Sequence, residues 1–84
     1  MTTEESIRSR LRAWIVDRAE RKHGHRVEHF DDRTPIIAAG LLSSLDVVEL
    51  ILFIEEIRGQ EVDESQLEPE TVESVDAIYK SLFT

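Results

Sequence analysis

From Ser44 to Arg58 the chain runs without a glycine or proline, and most of the residues in this stretch are apolar. Their spacing is helical. Leu45, Val48, Leu50, Ile51, Leu52, Phe53, Ile54 and Ile57 cover more of a helix than one surface stripe would. The helix is therefore expected to be central, touching more than one neighbour. Its start is marked in several ways. Ser43 is a natural N-cap, and Asp46 completes a short capping pair three residues on. Leu42 and Val47 stand where a hydrophobic staple would place them. Gly59 ends the helix. Ser44 then sits at the positive, N–H-rich end of a helix, where a phosphate is stabilised.

The flanking segments organise around this helix. A first helix is expected from about Glu4 to His23, with Thr2 and Glu5 forming a capping box. Ile7, Leu11, Trp14, Ile15 and Val16 give it an apolar stripe, and Gly24 is a plausible C′ residue. Residues 25–42 lack periodicity and are punctuated by Asp31, Asp32, Thr34-Pro35 and Gly40. A connection this long needs apolar pins, and Val27, Phe30, Ile36, Ile37 and Leu41 are candidates. Val62 and Leu67 should anchor the segment after Gly59. Pro69 should start a short helical turn, and a last helix should run from about Ser74 to Leu82 with Val75, Ile78, Tyr79 and Leu82 facing inward. No run alternates well enough to be a strand. The expected fold is all-α, a small four-helix bundle of three main helices plus one short helix in a single domain spanning residues 1–84.

Charge and composition narrow the function classes. Residues 1–30 carry seven Lys/Arg against five Asp/Glu, whereas residues 31–84 carry three against thirteen. The acidic part would repel nucleic-acid phosphates and attract basic protein surfaces. Without cysteine, the chain has no thiolate nucleophile and no disulfide framework, which fits a reducing cytoplasm. No apolar run approaches the roughly 18 residues that span a membrane. The acidic start, Met1-Thr2-Thr3-Glu4-Glu5, points away from a secretory leader. His23, His25 and His29 fall where a helix end runs into a loop, a place that suits histidine by its dipole, so no metal site is assigned. No nucleophilic triad is assigned to Ser44, because nothing in the spacing supports one.

Three pieces of sequence, in order, carry a resemblance. Asp32-Arg33-Thr34-Pro35-Ile36 leads to Gly40-Leu41-Leu42. Ser44-Leu45-Asp46 follows, with Val48-Glu49-Leu50 and Glu55-Glu56. Leu67-Glu68-Pro69-Glu70-Thr71-Val72-Glu73-Ser74-Val75 then enters the last helix. Together they resemble the acyl carrier protein and peptidyl carrier protein superfamily, most specifically over residues 31–82. The resemblance implies that Ser44, directly before Leu45, carries a 4′-phosphopantetheine arm donated by coenzyme A through a phosphopantetheinyl transferase. It implies a free-standing monomeric carrier, not an enzyme. The carrier would hold acyl or aminoacyl groups as thioesters and present them to loading and acyl-transfer enzymes. It makes Asp46, Glu49, Glu55 and Glu56 an acidic docking strip, with Val48 and Leu52 as an apolar contact beside it.

One position departs from the family pattern. The residue before the modified serine is usually Asp and here is Ser43. Ser43 keeps the capping role and loses the charge. An acidic helical interaction module without an arm is the second reading the sequence leaves open.

Overall fold

Three α-helices and two 3-10 turns build residues 3–84, the part described by the computed structural model: α1 (Glu4–His23), α2 (Ser44–Arg58) and α3 (Val75–Leu82), with the turns at Glu64–Gln66 and Pro69–Val72. Among the described residues there is no strand. The all-α expectation holds. The short fourth helix is only a 3-10 turn. Its N–H groups reach back three residues, Thr71 to Glu68 O at 2.9 Å and Glu73 to Glu70 O at 3.4 Å, and Ser74 immediately caps α3.

Each α-helix begins on a hydroxyl. Thr3 caps α1, accepting from the Ser6 N–H at 3.1 Å. The capping box expected at Thr2 lies outside the described residues. Ser43 caps α2, and Ser74 caps α3 by accepting from the Ala77 N–H at 3.1 Å. The Gly24 N–H closes α1 on Glu20 O, and the Gly59 N–H closes α2 on Glu55 O.

The core forms where the three helices and the long connection meet. Leu11, Ile15 and Ala19 line one face of α1, and Val47, Leu50 and Ile54 line one face of α2. Val75, Ile78 and Leu82 supply the face of α3. Burial of each large aliphatic side chain contributes about 1.5–3 kcal/mol. Trp14 and Phe53 stack at the edge of this core, ring centroids 5.7 Å apart. Val62 is buried and Leu67 half-buried, as their anchoring role requires.

The connection between α1 and α2 has no helix, yet it is pinned at both ends. Ile36 is fully buried, and its N–H donates to Glu73 O at 2.8 Å. The Asp76 N–H donates to Asp32 O at 2.8 Å. Leu42 is buried, and Val27, Phe30 and Leu41 are half-buried. Ile37 is the exception among the expected pins: it lies exposed, because the backbone bond to Glu73 turns its neighbour inward instead.

A charged network ties this connection to both flanking helices. Arg8 reaches Glu4, Asp32 and Asp76, each at 2.9 Å, and its guanidinium lies 4.8 Å from the centroid of the Tyr79 ring. Arg12 joins Asp32 at 2.7 Å. Burial alone would raise the Asp32 pKa, but the hydrogen bonds from Arg12 and Arg8 outweigh it and hold this carboxyl below its ordinary range. Lys80 and then Arg8 do the same for Asp76.

A carboxyl whose pKa is depressed by folding stabilises fully above its unfolded value and loses that contribution as pH falls. Asp32→Asn is therefore expected to cost about 2 kcal/mol at neutral pH. The gap from the parent should close as pH drops below about 4. Urea melts across that window check the sign, and a gap that stays constant into acid would show that the network is not the cause.

Candidate functional site

The junction between the connection and α2 is built by local chemistry. The Ala39 N–H donates to Pro35 O at 2.8 Å, Gly40 to Ile37 O at 2.9 Å, and Leu41 to Ile36 O at 3.0 Å. These bonds wind the chain into a tight turn that places Gly40 at φ 76°, a conformation that costs glycine little and a side chain more. Leu42 and Val47 are both buried in one cluster, consistent with the expected staple.

The capping box at Ser43 is complete. The Asp46 N–H donates to Ser43 Oγ at 3.3 Å, and the Ser43 N–H donates to Asp46 Oδ2 at 2.9 Å. The Ser43 hydroxyl also donates to Asp46 Oδ2 at 3.0 Å. Ser43 is thus occupied as a cap. Ser44, the first residue of α2, is exposed, and among the described residues its hydroxyl has no hydrogen-bond partner. First-turn N–H groups beside it lack intrahelical acceptors by geometry. An accessible hydroxyl at the positive end of a helix is placed where an anionic group is stabilised.

The last turns of α1 clamp this junction. Lys22 Nζ lies 2.7 Å from Asp46 Oδ2, and Arg18 pairs with Asp46 at 3.6 Å and with Glu49 more closely. His23 Nε2 lies 2.8 Å from Gly40 O. A carbonyl only accepts, so this nitrogen carries the proton. The Asp46 carboxyl is held well below its ordinary pKa, first by Lys22 and then by the Ser43 N–H.

The expected docking residues separate into three groups. Val48 and Leu52 are exposed, at 57% and 60%. Leu45, 81% exposed, joins them on the solvent side of α2. These three were among the residues expected to make α2 central. The helix instead buries one face, Val47, Leu50 and Ile54, in a cluster shared with α1, α3 and residues of the connecting segments, and leaves the opposite face exposed. Asp46 and Glu49 face α1 cations. Glu55 accepts the Val62 N–H at 2.8 Å and so holds the next segment, whereas Glu56 is exposed.

Sequence reasoning missed Arg18, Lys22 and His23 as parts of this junction, and Ile37 as an exposed residue near it in sequence. The signal for the first two was present: Arg18 and Lys22 are four apart on α1, and Asp46 and Glu49 three apart on α2, so each pair shares a face. An open groove of about 430 Å³ lies between Pro35, Ile37 and Ala38 on one side and Pro69, Glu70 and Glu73 on the other. None of these walls comes from α2. Among the described residues no three His, Asp or Glu side chains converge on a metal position, and no helix is long and apolar enough to cross a membrane.

No family model matches this chain, and no curated protein does.

Proposed function

We propose that this chain is a carrier protein whose Ser44 takes a 4′-phosphopantetheine arm from coenzyme A. The observation that carries the reading is the division of labour at the α2 start. Ser43 provides the cap, which leaves the Ser44 hydroxyl exposed and unengaged at the helix N-terminus. The arm would provide a terminal thiol for acyl or aminoacyl groups. The protein's own part is to hold the attachment serine in the open and to present a face that partners recognise. A tether of fixed length then raises the local concentration of cargo at each partner site. The partners are a phosphopantetheinyl transferase, a loading enzyme and downstream acyl-transfer enzymes. The docking face centres on Val48 and Leu52, with Leu45 nearest the attachment serine, and is bordered by the acidic residues Asp46, Glu49, Glu55 and Glu56. The protein acts as a monomer in the cytoplasm and catalyses nothing itself.

Incubation with coenzyme A and a broad-specificity transferase tests this directly. Intact mass should rise by one phosphopantetheine group. An unchanged mass under conditions that modify a control carrier would leave an unmodified helical interaction module as the surviving reading.

A further inference from the structure

The carboxylates nearest Ser44 are neutralised from within the chain. Arg18 contacts both Asp46 and Glu49, and Lys22 contacts Asp46. Two cations therefore face two anions. Exposed ion pairs usually contribute little, because two long side chains must be ordered together. Here the ordering is partly supplied in advance. The Arg18 guanidinium lies 4.7 Å from the centroid of the Trp14 ring, and Trp14 itself stacks on Phe53 of α2. The Asp46 side chain is only 16% exposed and is fixed by the capping box. Arg18 is thus held against the carboxylates by packing as well as by charge.

Beside this neutral rim runs an apolar stripe. Leu45, Val48 and Leu52 occupy successive turns of the solvent face of α2. Glu56, one turn beyond Leu52, is exposed at the far end of this stripe.

We infer that Arg18 and Lys22 form a charge mask which makes the α2 face select an uncharged, apolar partner surface over a basic one. The argument is one of charge complementarity. A basic surface approaching Asp46 or Glu49 meets carboxylates already paired and two cations that repel it. An apolar surface meets Leu45, Val48 and Leu52 with little charge to desolvate. The chain's net negative charge still attracts cations at long range, but that attraction is screened over about 10 Å at 0.1 M salt and does not select the α2 face. The identity of the occupant, a partner enzyme of the carrier cycle, rests on the proposed function. The mask itself does not.

Two measurements decide it. The first is an amide NMR titration with hexalysine at low salt, on the parent, on Arg18→Gln/Lys22→Gln, and on the same double variant with Glu49→Gln added. The parent should show little shift at Asp46, Val48 and Glu49. The double variant should bind there about tenfold more tightly or better, and added Glu49→Gln should cancel most of the gain. Equal binding at these residues by the parent and the double variant would overturn the mask. Thermal melts of each variant confirm that the fold is retained.

The second measurement is the initial rate of transferase modification. The parent rate should change less than about twofold up to 0.3 M salt, where exposed charges are strongly screened. Leu52→Ser should slow it about tenfold at every salt concentration, on the order of one buried aliphatic contact. A steep salt dependence in the parent, with Leu52→Ser unaffected, would overturn the apolar occupant. Absence of any modification would remove the carrier reading and the occupant with it, and the hexalysine titration would still decide the mask.

Discussion

Ser44→Ala is expected to abolish uptake of phosphopantetheine completely while leaving the fold in place. The two halves of this expectation have separate causes. Loss of modification follows because the variant removes the exposed hydroxyl at the start of α2. Retention of the fold follows because that hydroxyl makes no hydrogen bond among the described residues, so its removal should change stability by less than about 0.5 kcal/mol. Ser43→Ala should behave in the opposite way. It deletes the acceptor of the Asp46 N–H and should cost about 1 kcal/mol while modification continues. Denaturant melts and intact mass on the two variants separate cap from attachment site. A Ser44→Ala protein that still takes up the group, or a Ser43→Ala protein that does not, would reverse the assignment of the two serines.

The second large effect concerns the core. Ile54 is fully buried on α2 among residues from all three helices. Ile54→Ala removes apolar volume from a site that the surrounding helices can only partly refill, and should cost about 3–4 kcal/mol. A domain of this size has about 4–12 kcal/mol in total, so the loss should shift the urea midpoint sharply at an unchanged slope. Leu52→Ala on the same helix provides the contrast. Leu52 is 60% exposed, and its truncation should cost no more than about 0.5 kcal/mol. Similar losses for the two variants would mean that α2 is covered on both sides.

That contrast also shows where the sequence could be read and where it could not. The bounds of α2 were legible because the signals are local: Ser43 and Asp46 cap each other, and Gly59 terminates. The same holds for α1, whose bounds match the expected Glu4 to His23, and for Val75, Ile78 and Leu82 on the inward face of α3, whereas Tyr79, also expected inside, is half-buried under Arg8. Which apolar side chains of α2 go inside is not a local question. Leu45 and Leu50 are equally apolar, yet one is 81% exposed and the other fully buried, because the core packs against only one side of α2. Ile36 and Ile37 are adjacent and chemically identical. The choice between them depends on a backbone bond from Ile36 to Glu73, far along the chain.

The expected fourth short helix, and with it the four-helix bundle, is not confirmed: Pro69–Val72 closes as a 3-10 turn, directly followed by the cap of α3 at Ser74. The Ser43 cap and the place of Ser44 as the first residue of α2 were visible in the sequence for the same local reason as the helix start. Local spacing puts Arg18 and Lys22 on one face of α1 and Asp46 and Glu49 on one face of α2, but that these two faces meet depends on how α1 packs against α2.

The central claim is that Ser44, and not its neighbour, is the attachment residue. Its most direct test is fragmentation mass spectrometry of the peptide spanning Ser43 and Ser44, after the parent protein has been incubated with coenzyme A and a phosphopantetheinyl transferase. The expected result is that fragments containing Ser44 carry the added group and fragments ending at Ser43 do not. The added mass on Ser43, or an unmodified peptide alongside a fully modified control carrier, would contradict it.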